Sequence, residues 1–69
     1  MNEETKIKVF DIAAGMRENY LQLSSADNFS YNNYCLAKAE FLAVEEVIEA
    51  IGGAELINEF YMYYNEVWA

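Results

Sequence analysis

The sequence contains no proline and no histidine, and it has a single cysteine, Cys35. With one thiol, no disulfide can form within the chain, and a lone thiol without histidine cannot build a zinc site. Catalysis near neutral pH usually relies on histidine, a perturbed lysine or an activated thiol, and Cys35 has no obvious base. Glycine-rich phosphate loops and the spacing of a calcium loop are also missing. We therefore expect no enzymatic activity, no cofactor and no metal.

Basic residues are scarce. Four lysines and arginines stand against twelve aspartates and glutamates, which gives a net charge of −8. Such a chain should be repelled by nucleic acid and by anionic membranes, and attracted to basic protein surfaces. No apolar run approaches the ~20 residues of a membrane span. The first four residues, Met-Asn-Glu-Glu, are acidic where a secretory signal would be basic, so we expect a cytoplasmic location.

The chain is short but strongly apolar, with 69 residues of which 55% are hydrophobic. This composition predicts one folded domain over residues 1–69 instead of a disordered segment. A domain of this size buries a modest core, so its stability usually needs a supplement. Because disulfides and metals are excluded, the supplement we expect is binding to a partner or to a second copy.

Apolar residues recur with a helical period, and no stretch alternates as a strand does. The pattern predicts a compact all-α bundle of three helices, at about residues 3–23, 30–51 and 54–67, which a homodimer would complete. Asn2 is a candidate N-cap for the first helix. Candidates for capping the second helix are Asp27, Asn28 and Ser30.

The adjacent glycines Gly52 and Gly53 are expected to stop the second helix, with Gly52 in the left-handed position after its end. So short a connector predicts an antiparallel hairpin or a sharp bend between the second and third helices. The third glycine, Gly15, falls on the polar side of the first helix. We expect it to weaken that helix more than it serves packing.

The second helix carries the clearest periodic signal. Apolar residues spaced 3-4-3-4-3 form a seam: Tyr34, Ala37, Phe41, Val44, Ile48 and Ile51. Three further residues are expected to widen this seam on one side: Leu36, Ala43 and Val47. The first helix has a broad apolar arc of its own, which is predicted to pack across the other two helices.

Two charged residues interrupt the apolar arcs. Arg17 lies within the arc of the first helix and Glu40 within that of the second. An unpaired charge at either place would be costly. One hypothesis is an Arg17–Glu40 ion pair that sets the helix register. The alternative is that each side chain lies at the edge of its arc and extends to water.

The acidic residues are concentrated toward the C-terminus, because no basic residue follows Lys38. Seven glutamates do: Glu40, Glu45, Glu46, Glu49, Glu55, Glu59 and Glu66. On the third helix, three of these form one stripe that includes Met62: Glu55, Glu59 and Glu66. Like charges one turn apart repel, so the arrangement needs a reason. It favours binding to a basic partner, with a solvated acidic face as the alternative.

Exposed apolar and aromatic residues suggest the same type of surface. Leu42 and Met62 fall among glutamates, as binding anchors surrounded by charge would. The run that contains Tyr61 and Tyr63 has more aromatic area than two small neighbouring helices could bury, and tyrosine is common at interfaces. These aromatic residues are expected to face a partner or a second copy.

The functional expectation is therefore an acidic protein-interaction module. It would act as an inhibitor or regulator that covers a basic surface of another protein, including a nucleic-acid-binding groove through mimicry of DNA. Small size, high acidity and the lack of catalytic motifs are typical of such inhibitors from phages and mobile elements, by analogy of type alone. The alternative is a homo-oligomeric structural or accessory subunit whose acidity serves only solubility.

Overall fold

A computed structural model describes residues 1–25 and 30–69. Within these residues all regular structure is helical, which confirms the all-α prediction. Helix α1 spans Glu3–Ser24, helix α2 spans Tyr31–Tyr63, and a π-helical turn spans Tyr64–Trp68. None of the helices in this part of the chain is long and apolar enough to cross a membrane.

Both helices begin at a side-chain cap. The Asn2 side chain accepts a hydrogen bond from the backbone N–H of Thr5 at 2.8 Å, as the sequence predicts. Ser30 caps α2 in the same way, with its hydroxyl 3.4 Å from the backbone nitrogen of Asn33. The other two candidates for this cap, Asp27 and Asn28, lie outside the described residues.

The prediction of three separate helices is wrong, because residues 54–63 continue α2 across a kink. The alternative of a sharp bend is confirmed. Only Gly53 leaves the helical region, with φ 68° and ψ −163°, so the positive φ lies at Gly53 and not at Gly52. Such a conformation is almost restricted to glycine. A single residue therefore turns the chain, and no loop separates the two arms of α2.

The two arms of α2, residues 31–52 and 54–63, fold back on each other. The rings of Phe41 and Phe60 have centroids 6.3 Å apart, and the Tyr61 hydroxyl donates to the Glu45 carboxylate. Helix α1 packs on both arms, with Tyr20 against Phe41 of the first arm. The second arm meets α1 through Phe60 and Phe10, whose ring centroids are 5.6 Å apart.

The core is small and aromatic. Its largest fully buried side chains come from α1 and from both arms of α2: Phe10, Phe41, Phe60 and Ile48. Ala13 and Ala14 of α1 are fully buried beside them, and their short side chains allow the helices to approach closely. The core therefore ties α1 to both arms at once.

The predicted seam of α2 is only partly right. Ala37, Phe41 and Ile48 are buried, and Tyr34 and Val44 are half-buried, but Ile51 is exposed. The three residues that were expected to widen the seam, Leu36, Ala43 and Val47, are all exposed. The first arm therefore has an outer apolar side that the core does not use.

The C-terminal turn carries an aromatic side chain back to α1. The backbone N–H of Ala69 donates to the carbonyl of Tyr64 at 3.0 Å, which is the i to i+5 bond of a π-helix. A Cβ on Gly15 would lie 4.0 Å from the Trp68 ring. Gly15 therefore faces the Trp68 ring with room for a Cβ, and the expectation that it weakens α1 more than it serves packing stays a prediction.

Candidate interaction surface

Three tyrosines in the last part of the chain donate their hydroxyls to carboxylates on other segments. Tyr63 donates to Asp11 at 2.5 Å, and Trp68 Nε1 donates to the same carboxylate at 3.1 Å. The other two bonds join Tyr64 to Glu18 and Tyr61 to Glu45. Together these tyrosine–carboxylate pairs connect the second arm to α1 and to the first arm.

The pairs also change how the phenols titrate. Burial, followed by the hydrogen bond to Glu45, raises the pKa of Tyr61 to about 12. Burial and the bond to Glu18 raise the pKa of Tyr64, while for Tyr63 the bond to Asp11 is the largest cause of its raised pKa. In each pair the carboxylate stabilises the protonated phenol, because loss of the proton would place two negative charges side by side.

This placement corrects the expectation for the aromatic run. Tyr64 is buried and Tyr61 and Tyr63 are half-buried, with their hydroxyls bonded inside the molecule, so this face is largely used within the fold. Sequence reasoning assigned no role to Asp11 and Glu18. A usable signal was their seven-residue spacing, which puts both on one edge of the helix.

The predicted Arg17–Glu40 ion pair is not among the ion pairs of residues 1–25 and 30–69. The guanidinium of Arg17 instead lies over aromatic rings, 5.1 Å from the Tyr64 centroid and 5.5 Å from that of Tyr61. Such contacts stabilise a cation without a carboxylate. Glu40 is exposed and does not pair with Arg17.

Two lysines near the N-terminus form ion pairs with three other carboxylates. Lys6 lies 3.0 Å from Glu3 and 2.8 Å from Glu59, and these hydrogen bonds raise the pKa of Lys6, with Glu59 the larger cause. Lys8 pairs with Glu4 at 3.5 Å along α1. One member of the predicted acidic stripe, Glu59, is thus paired with a cation that sequence reasoning did not assign to it.

Five carboxylates remain without such a partner among the described residues. All are exposed glutamates that follow Lys38 in the sequence: Glu40, Glu46, Glu49, Glu55 and Glu66. The acidic surplus of the protein is therefore concentrated on the outside of α2 and its terminal turn. These residues are five of the seven glutamates that the sequence singled out.

Glu59 of the second arm and Glu66 of the terminal turn border a groove against α1, with a volume of about 200 Å³. Glu59, Met62 and Glu66 form one wall, while Glu3 and Lys6 belong to the other. The floor is apolar, and it includes the rings of Phe10 and Tyr63. Met62 is 63% exposed at this edge, so an apolar side chain does lie among the carboxylates, as the sequence predicts.

The glutamates of the first arm form a second group. Glu46 and Glu49 line one shallow depression with Ala50. Leu42, 45% exposed, lies on the same side of the helix, because it precedes them by one and two turns. The structure therefore forms two groups, Glu59 with Glu66 and Glu46 with Glu49, each beside one exposed apolar side chain. Glu40, Glu45 and Glu55 line neither depression, so the predicted acidic residues do not form one continuous face.

Comparison of the chain with family models, with curated proteins and with solved structures finds no match.

Proposed function

We propose that the protein is a small cytoplasmic interaction module that binds a basic surface of another protein and acts as an inhibitor or regulator. The observation that carries this proposal is the division of the carboxylates. Six of the described ones contact a tyrosine, a tryptophan or a lysine, while five exposed glutamates do not. Glu46 and Glu49 lie one turn apart and repel each other, and none of the five is neutralised within the described chain, so a basic partner would find unpaired negative charge there.

Leu42 and Met62 would anchor such a partner. Charged contacts at the rim of an interface mainly increase the rate and selectivity of association, while apolar side chains near the centre supply most of the affinity. Each glutamate group has one such side chain beside it, exposed by about half or more. The groove beside Met62 also has room and an apolar floor for the stem of a lysine or arginine.

A narrower form of the proposal is mimicry of a nucleic-acid backbone by the glutamates, as in inhibitors made by phages and mobile elements. In that form the partner is itself a nucleic-acid-binding protein, and the glutamates occupy its phosphate-binding groove. The alternative function is a homo-oligomeric structural subunit, for which the acidic surplus serves only solubility.

Affinity capture from host lysate tests the proposal. The tagged protein should capture a basic protein at low salt and release it at high salt, because exposed ion pairs are screened. The variant Glu46→Gln/Glu49→Gln should capture at least tenfold less of that protein. The control Asn19→Lys/Gln22→Lys makes the same change in net charge at exposed positions of α1 away from both glutamate groups, and it should capture a normal amount.

Two results would contradict the proposal. One is capture of nothing but the protein itself, and the other is equal loss of capture in the variant and the control. If a partner is captured, competition by a short DNA duplex tests the narrower form. Mimicry requires that the duplex displace the protein from its partner.

A further inference from the structure

The groove between α1 and the second arm carries more negative than positive charge. Its lining has three carboxylates, from Glu3, Glu59 and Glu66, but one ammonium group, from Lys6, so its net charge is −2. Lys6 pairs with Glu59 at 2.8 Å and with Glu3 at 3.0 Å. Glu66 is exposed and has no such partner among the described residues. One carboxylate of the groove is therefore left for a cation from outside.

The floor of the same groove is apolar and partly aromatic. The rings of Phe10 and Tyr63 have centroids 5.7 Å apart, and Ile7 lies beside them. Met62, with its polarizable sulfur, stands at the rim. Aromatic rings attract cations, and apolar surface accepts the methylene stem of a long basic side chain. The groove thus combines a floor for a stem with a carboxylate for a cationic head group.

The size of the groove limits what it can hold. Its volume is about 200 Å³. Sites for whole small molecules usually have at least ~300 Å³. One long side chain is a better match to this volume, and the negative charge of the lining selects a basic one.

We propose that this groove binds a single arginine side chain of a basic partner protein, with the stem over Phe10 and Met62 and the guanidinium on the Glu66 carboxylate. The inference rests on the proposed function, and it names the residue type that one of the two glutamate groups recognises. A guanidinium is planar and weakly hydrated, so it can lie on an aromatic ring and donate two hydrogen bonds to one carboxylate.

The protein already holds one arginine on aromatic rings. The guanidinium of Arg17 lies 5.1 Å from the ring centroid of Tyr64 and 5.5 Å from that of Tyr61. The ammonium group of Lys6 instead lies between two carboxylates. This difference within one fold is the reason for expecting arginine in preference to lysine over the floor of the groove.

Titration with a model peptide tests the site in the absence of the partner. The probe is a short alanine peptide with one central arginine, and its matched controls carry lysine or citrulline at that position. Citrulline keeps the stem and the planar head group of arginine but has no charge. The arginine peptide should shift the NMR signals of the Met62 and Ile7 methyl groups, and it should bind about tenfold more tightly than the citrulline peptide.

Three results of this titration would overturn the inference. They are binding of the citrulline or lysine peptide as tight as that of the arginine peptide, shifts confined to signals outside the groove, and no shifts at all.

A pair of charge variants locates the head group. Glu66→Gln should weaken binding of the arginine peptide about fivefold and leave that of the citrulline peptide unchanged. Glu55→Gln is the control, because Glu55 is also exposed but does not line the groove. Both variants should keep their helix content by circular dichroism. Equal weakening by the two changes would show that net charge alone acts, and would contradict a site at Glu66.

The titration and the lysate capture can fail separately. If a basic partner is captured through Glu46 and Glu49 but the arginine peptide does not bind the groove, the inference is wrong and the proposed function stands. If the peptide binds the groove but the protein captures no partner, the proposed function is wrong, and the groove is an arginine site without the inferred partner.

Discussion

At the scale of single residues, tyrosine takes the place of lysine and arginine as the hydrogen-bond partner of the half-buried carboxylates. The chain has only four basic residues for twelve acidic ones, yet Asp11, Glu18 and Glu45 each accept a hydrogen bond from a tyrosine hydroxyl. Hydrogen bonds to an ionised acceptor are about twice as strong as neutral ones. The phenol ring also adds apolar area to a small core, which an ammonium group would not.

The bond between Tyr64 and Glu18 should contribute measurably to stability. Tyr64 is only 6% exposed, so Tyr64→Phe leaves the ring packed but removes the donor from the carboxylate. We expect the free energy of unfolding, measured with urea, to fall by about 1.5–3 kcal/mol. Tyr31→Phe is the control, because Tyr31 is 69% exposed, and its effect should stay within ~0.5 kcal/mol. Similar losses in both variants would contradict the assignment.

Alkaline pH should unfold the protein through the same tyrosines. The pKa of Tyr61 is about 12 in the folded chain, against ~10 when unfolded. Because the folded state holds this proton more tightly, the contribution of Tyr61 is complete below about pH 10 and is lost as pH rises toward 12. The free energy of unfolding should therefore fall less steeply over this range in Tyr61→Phe than in the unmodified protein. Parallel curves would show that Tyr61 is not the titrating group.

At the scale of elements, one glycine pair decides how the second half of the chain folds. Gly53 supplies the positive φ of the bend, and Gly52 supplies space. A Cβ on Gly52 would lie 2.5 Å from the Cβ of Leu56, which is closer than real side chains approach. The two glycines thus permit, for different reasons, the return of the second arm along the first.

Alanine at these glycines should therefore be destabilising. Gly53→Ala forces a Cβ into a conformation that costs about 1–3 kcal/mol for other residues, and Gly52→Ala forces Leu56 to move. Gly15→Ala is the contrast, because its Cβ would meet Trp68 at an ordinary 4.0 Å within a helix. That change should stabilise the protein by about 0.5–1 kcal/mol. The melting temperatures of the three variants test these expectations. An increase in melting temperature in all three would contradict the bend at the glycine pair.

The sequence predicted the parts of this fold that local chemistry controls. The caps at Asn2 and Ser30 and the bend at the glycine pair all follow from the residues at those places. The number of helices could not be predicted, because whether Gly52 continues a helix depends on how the second arm returns. The exposure of Val47 could not be predicted either. A group of neighbouring apolar residues on one helix does not show which of them a small core will bury.

In the candidate site, too, features set by local sequence could be predicted and features set by the tertiary fold could not. The exposed glutamates and the exposure of Leu42 and Met62 follow from helical periodicity. The inward use of Tyr61 and Tyr63 does not, because it depends on Glu45 and on Asp11 of α1, which the fold brings near from distant positions. Long-range pairs of this kind carry no periodic signal within one helix.

At the scale of the whole molecule, the net charge of −8 is divided between two roles. The carboxylates bonded to tyrosines connect the segments, and the exposed glutamates of α2 are the ones that the proposed partner would contact. If this division is right, the same loss of negative charge should have opposite consequences in the two sets. Net charge alone would predict equal consequences, since any loss of a carboxylate relieves the same long-range repulsion.

The most direct test compares the free energies of unfolding of two triple variants by urea denaturation. Asp11→Ala/Glu18→Ala/Glu45→Ala and Glu46→Ala/Glu49→Ala/Glu55→Ala each remove three of the twelve acidic residues. We predict that the first variant loses roughly 3 kcal/mol or more, because three tyrosine hydroxyls lose their acceptors. The second should match the unmodified protein or gain a few tenths of a kcal/mol from relieved repulsion. Equal stability of the two variants would contradict the division of the carboxylates.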